Sequence, residues 1–338
     1  MPTHETIATS AEHAATEQVR SPAHPGNSTL IRYFVMFFAV SILIYPQPFW
    51  LVRLSSYPRW SRNASLRFLE FGFTAAGQNA DVVIFGDSSA TAGIDPSRIS
   101  AALGERVLLL PSNLTELVAV DDFPLRRYIA ADTPPRVIVF YFSPWDFNYD
   151  HDFDKHPMYD GVETVVRHGD AREIAAFVVA HPLYVIQFPL MFYQSTMNEG
   201  LTPPTKLRRQ AQQLVATNGH TEFSGRLING SSCTIPANFL DQIRFDSVRR
   251  ISEKYRSSRT KILYFAAPIP GCTNAQKIVD RSSAVIPALP PEIMTPSVFV
   301  DDSYYAHLGA AGVPQATKNL TDAVRPILTG SDSAIGSR

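Results

Sequence analysis

Near residue 80 the chain carries an apolar run, 82–85, that stops abruptly at Gly86-Asp87-Ser88-Ser89. Four consecutive apolar residues ended by turn formers predict a central parallel strand covered on both faces. In open parallel sheets the C-terminal strand ends carry the chemistry. A serine hydroxyl presented there can attack an acyl carbonyl, provided the fold supplies a base to take its proton and a carboxylate to orient that base. Both would have to come from far along the chain. Two other clusters are weighed beside this one. Asp150-His151-Asp152-Phe153-Asp154-Lys155-His156 is rich in metal-ligand types, but its spacing fits no helical or zinc pattern and reads as a solvated loop. Trp145-Asp146-Phe147 stands at another expected strand end, and Asp146 there suits either a contact with the Ser88 turn or the lining of a cleft.

The elements that must position these groups follow as an alternation of strands and helices from Asp81 onward. Strands are expected at 82–85, 107–110, 137–142, 261–266 and 298–300. Helices are expected at 96–103, with Asp95 as N-cap before Pro96, and at 119–131, 240–255 and 313–328. The strand at 137–142, Val-Ile-Val-Phe-Tyr-Phe, is the strongest. The stretch 148–238 lacks strand-like runs and reads as a mainly helical insertion, with helices at 171–180 and 206–217. This pattern predicts an α/β fold, a doubly wound parallel sheet of about five strands. The domain spans 81–330, after a linker and short helix at 55–80 and before a flexible tail at 331–338.

The N-terminal part differs. Residues 1–29 are polar and aperiodic, a disordered tail. Within an anchor at 30–54, the twenty residues 33–52 contain no charge and one strongly polar residue, Gln47. Arg32 and Arg53 flank them, and Tyr33, Tyr45 and Trp50 suit the membrane interface. Pro46 and Pro48 weaken the second half as a helix. No small-residue cleavage site follows, so an uncleaved transmembrane anchor is expected. Arg53, Arg59, Arg62 and Arg67 after the span outnumber Arg20 and Arg32 before it, which by charge alone keeps the domain in the cytoplasm. The two cysteines, Cys233 and Cys272, lie in loop-like surroundings and suggest a disulfide in an oxidising compartment. Weighing both, we expect a single-pass protein of the inner membrane with its main domain facing the periplasm. A net charge of −1 and scattered arginines argue against nucleic acid. A flavin or nucleotide site lacks its Gly-rich loop, since the turn after the first strand has one glycine and an aspartate.

The strand followed by Gly-Asp-Ser near the front of the domain, and the acidic residues shortly before His307-Leu308 near its end, resemble the SGNH/GDSL hydrolase family. The turn at Gly86-Asp87-Ser88-Ser89 leading to Gly93-Ile94-Asp95-Pro96 is most similar to its membrane-anchored bacterial members, many tied to polysaccharide O-acetylation. The likeness covers 81–148 and 260–328 and leaves the insertion out. It implies a flavodoxin-like sheet, Ser88 as nucleophile and His307 as its base. The family's aspartate stands three residues before the histidine, where this chain has Tyr304; Asp302 is the candidate in its stead, with a Ser–His dyad or an inactive site as alternatives. For the oxyanion, the chain offers Asn113 after the second strand and Ser143 or Asn148 after the third, with Trp145 where the family has asparagine. The resemblance implies an esterase or O-acyltransferase acting on an acylated carbohydrate or small ester of the envelope or an exopolysaccharide, within an envelope acetylation complex and without cofactor or metal. The competing expectation is an inactive SGNH-like scaffold.

Overall fold

The computed structural model describes residues 27–54, 71–75, 77–112, 114–149, 156–199, 209, 212–223, 225–228, 233–300 and 305–330. It divides into two compact units, Met1–Pro46 and Gln47–Arg338. In the first, α1 (Asn27–Ile44) is a helix of 18 residues whose apolar side chains are exposed. The segment Ser28–Leu54 is long and apolar enough to cross a membrane.

The second unit begins with α2 (Gln47–Leu54) and is built on a sheet. Strands β1 (Val82–Gly86), β2 (Val107–Pro111), β3 (Val137–Phe142) and β4 (Lys261–Ala266) lie parallel in the order β2-β1-β3-β4. Val83, Phe85, Leu108, Leu110, Ile138 and Phe140 face one core; Val82, Ile84, Leu109 and Val139 face the other. Both faces are buried, which is why these runs are apolar without alternation.

Helices α3 (Ser88–Gly93) and α4 (Pro96–Leu103) follow β1, α5 (Leu114–Val120) and α6 (Phe123–Ala131) follow β2. Asp95 caps α4 by accepting from the N–H groups of Ser97 and Arg98 at 3.0 and 3.2 Å, and Gly104 ends it in the left-handed region. The single helix expected at 119–131 is two, because Asp121 adopts a left-handed φ of 54° and Pro124 starts the second. After β3 come α7 (His156–His168), α8 (Ala171–Ala180) and α9 (Pro182–Glu199). Asp170 and Glu173 form a capping box at the start of α8, and α8 meets α9 at His181-Pro182 with a bend of 99°. The helix expected at 240–255 is also two, α10 (Asn238–Gln242) and α11 (Asp246–Glu253), because fully buried Ile243 is extended.

The expected fifth strand at 298–300 is not part of the sheet. Pro296–Val298 forms a 3-10 turn after Thr295, and Phe299 and Val300 make only isolated antiparallel bridges, to Leu308 and Leu227. The run is too short, and the 3-10 turn at Pro296–Val298 takes up its first residue. Before it, β5 (Ile269–Pro270), α12 (Ala275–Val285) and β6 (Ile293–Met294) form a small parallel pair and a helix; α13 (Val313–Thr329) ends the described chain. Cys233 and Cys272 form a disulfide that ties the end of the insertion to the segment after β5.

Residues 47–54 of the expected anchor belong with the second unit. Val52 is fully buried beside Val162, Phe188 and Phe192. The Arg53 guanidinium donates to the carbonyls of Val166, Arg167 and Gly169 at 3.0, 2.8 and 3.1 Å, satisfying the C-terminal end of α7. The tail at 1–26, most of the expected linker (55–70), the acidic stretch 150–155 and the tail 331–338 lie outside the described residues.

Candidate active site

The turn after β1 is built for close approach. A Cβ on Gly86 would lie 2.0 Å from the Tyr141 carbonyl oxygen and 2.7 Å from the Ala90 Cβ, so only glycine fits between β3 and α3. Asp87 follows as the N-cap of α3. One of its oxygens accepts from the Ser89 N–H at 2.8 Å and from the Ser89 hydroxyl. The other accepts from the Ser143 N–H at 3.1 Å and the Ser143 hydroxyl at 2.9 Å. This one carboxylate joins the C-terminal ends of β1 and β3, the switch point at which ligands of such sheets bind. Asp146 completes the cluster against the Ser143 hydroxyl. Burial and the neighbouring Asp87 charge push the Asp146 carboxyl well above the usual carboxylate range. The Ser143 hydroxyl is thus shared between the Asp87 and Asp146 carboxyl groups, and Asp146 is also hydrogen bonded to Asp87.

Ser88 is the first residue of α3, and its hydroxyl lies 2.6 Å from His307 Nε2 across 219 residues of chain. His307 sits where the chain returns toward the sheet: its carbonyl accepts from the Val300 N–H at 2.9 Å, and Gly309 donates to Val298 at 2.8 Å. The ring is stacked on Phe223, with centroids 4.6 Å apart, and is 6% exposed. Burial pushes the imidazole down to about 4, against a smaller opposing pull from the Asp87 charge. At neutral pH it is therefore uncharged and able to accept the Ser88 proton. The insertion supplies this cover. Thr221 donates to the Thr91 carbonyl at 3.1 Å, and the buried His220 ring nitrogen Nδ1 lies 2.9 Å from the same oxygen, which fastens residues 220–223 over α3.

Of the residues expected from sequence, Ser88 and His307 are brought together. Ser143 is at the site's edge, but both its donors are directed at Asp87, so it serves the turn and is not an oxyanion donor. Asn148 accepts from the Ser247 hydroxyl at 2.7 Å through its side-chain oxygen. Trp145 is in the core, stacked on Phe239 at 4.7 Å. Asn113, Asp302 and Tyr304 lie outside the described residues. Among the described residues no group of three or more His, Cys, Asp or Glu side chains could hold a metal ion. Sequence reasoning missed Asp87 and Phe223. The first had a readable signal, an Asp immediately before a pair of serines at a helix start; the second had none, since Phe223 acts only through a loop fastened over α3.

These side chains can perform one kind of chemistry directly: a serine hydroxyl, held at the positive end of a helix and bonded to a neutral imidazole, can be deprotonated as it attacks an electrophilic carbon. No protein-family model matches this chain, and neither a curated protein nor a solved structure matches it.

Proposed function

We propose that the protein is a membrane-anchored, SGNH-type serine esterase or O-acyltransferase that acts on an acyl ester of an envelope or exopolysaccharide carbohydrate. The observation that carries this reading is the 2.6 Å contact between Ser88 Oγ and His307 Nε2 at the C-terminal edge of a parallel sheet. The strand order β2-β1-β3-β4 agrees with the first four positions of the flavodoxin-like order, and the turn after the first strand carries the serine.

In the proposed reaction Ser88 Oγ attacks the acyl carbonyl as its proton passes to His307 Nε2. The tetrahedral oxyanion is assigned to the Ser88 backbone N–H, since the next three N–H groups of α3 are bonded to Asp87, and to Asn113. Collapse breaks the ester bond, and the leaving alkoxide takes the proton from His307. An acceptor hydroxyl, from a sugar or from water, then attacks the acyl-serine, gives its proton to His307 and restores Ser88. Asp302 is assigned the role of orienting the imidazole; Val300, two residues before it in the chain, is hydrogen bonded to His307. Ser143, whose N–H and hydroxyl are both turned to Asp87, takes no part in this step.

We place α1 in the cytoplasmic membrane and the domain in the periplasm. The Cys233–Cys272 disulfide supports an oxidising compartment. The test is turnover of p-nitrophenyl acetate by the detergent-solubilised full chain, with and without an acetyl-accepting oligosaccharide. Release of p-nitrophenol that disappears in Ser88→Ala supports the reading, and appearance of acetylated oligosaccharide selects the transferase. No release by either protein, with both folded, favours the scaffold role.

A further inference from the structure

From Ile174 to Asn198 the chain has 25 residues without one Asp, Glu, Lys or Arg. This stretch forms most of α8 and α9. One side of α9 is spent on the protein: Phe188 and Phe192 pack with Val52 and Val162. The other side is equally apolar and faces outward, with Leu183 67%, Ile186 60% and Leu190 70% exposed, and Val179 at the end of α8 82% exposed. Positions 183, 186 and 190 recur at helical spacing, so they form one continuous strip. A helix that is hydrophobic all round belongs in a core or a membrane, not against water. Pro182–Gln194 of α9 is too short to span a bilayer alone, and the 99° bend before it makes the pair a right-angled helix-turn-helix hairpin. Such dimensions suit a segment lying in the interface.

What covers the strip follows from α2. Only Tyr45 and Pro46 separate α1 from α2 in the chain, and α2 is packed on α9 through the Phe49 and Phe188 rings, 5.4 Å apart. Tyr193 also donates to Gln47, the first residue of α2, at 3.3 Å. The outward side chains of α2 include Trp50 and Leu54, 64% and 78% exposed. The hairpin is therefore held by the element that begins where the apolar helix ends. We infer that the outer face of the α8–α9 hairpin is a second, monotopic membrane contact that seats in the lipid interface. The inference rests on α1 being the membrane anchor.

Nitroxide scanning tests this with the full chain in phosphatidylcholine–phosphatidylglycerol vesicles. The chain's two cysteines are joined to each other, so an introduced cysteine is the one free thiol. Labels at Val179→Cys, Leu183→Cys and Ile186→Cys are compared with Phe37→Cys in α1 and with Lys318→Cys on the exposed face of α13. We expect the ratio of oxygen to nickel-chelate collisions at 179, 183 and 186 to exceed that at 318 several-fold and to approach that at 37. Hairpin labels that match 318 while 37 reports lipid overturn the inference and leave the anchor standing. Water-like values at 37 overturn the anchor and the inference together. Hairpin labels shielded from both reagents mean that a second copy or another protein covers the strip, which also overturns it.

Discussion

Replacing Phe223 with alanine should change the pH dependence of Ser88 without touching either reacting group. The imidazole of His307 titrates at about 4 in place of its ordinary 6.5 because it is buried, and Phe223 covers one of its faces. That gap corresponds to about 3 kcal/mol. At about pH 5.5 an imidazole titrating at about 4 is ~97% neutral, whereas one at its ordinary value is ~9% neutral. Wild-type labelling of Ser88 by a fluorophosphonate should therefore be nearly as fast at about pH 5.5 as at about pH 8, falling only as the pH drops through about 4. Phe223→Ala admits water to the ring, so its inflection should move up toward 6.5 and its rate at about pH 5.5 should fall by up to ~10-fold. Stability carries the same signature. Between 6.5 and about 4 the unfolded chain binds a proton at this histidine that the folded chain refuses, so stability is lost as pH falls through that window, by up to about 3 kcal/mol. Urea unfolding of His307→Gln should lack this slope; taking its difference from wild type separates the imidazole from Asp146. A wild-type inflection at 6.5 or above, or a Phe223→Ala profile superimposable on wild type, would refute the burial argument.

Three further outcomes concern what holds the site. Asp87→Asn removes a buried charge that accepts four hydrogen bonds, and should lower stability by about 3–5 kcal/mol and abolish labelling, read by urea unfolding and the fluorophosphonate. Gly86→Ala forces a methyl into the Tyr141 carbonyl and should cost about 1–3 kcal/mol or more, visible as a lowered melting temperature. Cys233→Ser should destabilise by about 4 kcal/mol, since the bridge closes a separation of 39 residues; an unchanged urea midpoint would contradict this.

Much of the frame was legible because local chemistry and global position agree there. Strands buried on both faces announce themselves as unbroken apolar runs, and Asp95-Pro96 marks a helix start by itself. The errors fall where tertiary context overrides a local pattern. Apolar periodicity ran through 119–131 and 240–255 without registering the left-handed Asp121 or the extended Ile243. Val298, Phe299 and Val300 look like a strand in isolation, but their backbone is spent on the hairpin that carries His307. Within the site, Ser88 and His307 could be paired through a family likeness. Ser143 could not be read correctly, because only the folded sheet reveals that Asp87 claims both its donors. The charge-free run 33–52 falls within Ser28–Leu54, which is long and apolar enough to cross a membrane, but the packing of its last turn, with Val52 and Arg53 held against α7 and α9, left no mark in the sequence.

The pairing of Ser88 with His307 is tested most directly by peptide mass spectrometry after fluorophosphonate treatment of the full chain. An adduct on Ser88, absent from Ser88→Ala and slowed at least ~100-fold in folded His307→Ala, is the predicted result. An adduct on another residue, or a Ser88 adduct that forms as fast without the imidazole, would contradict it.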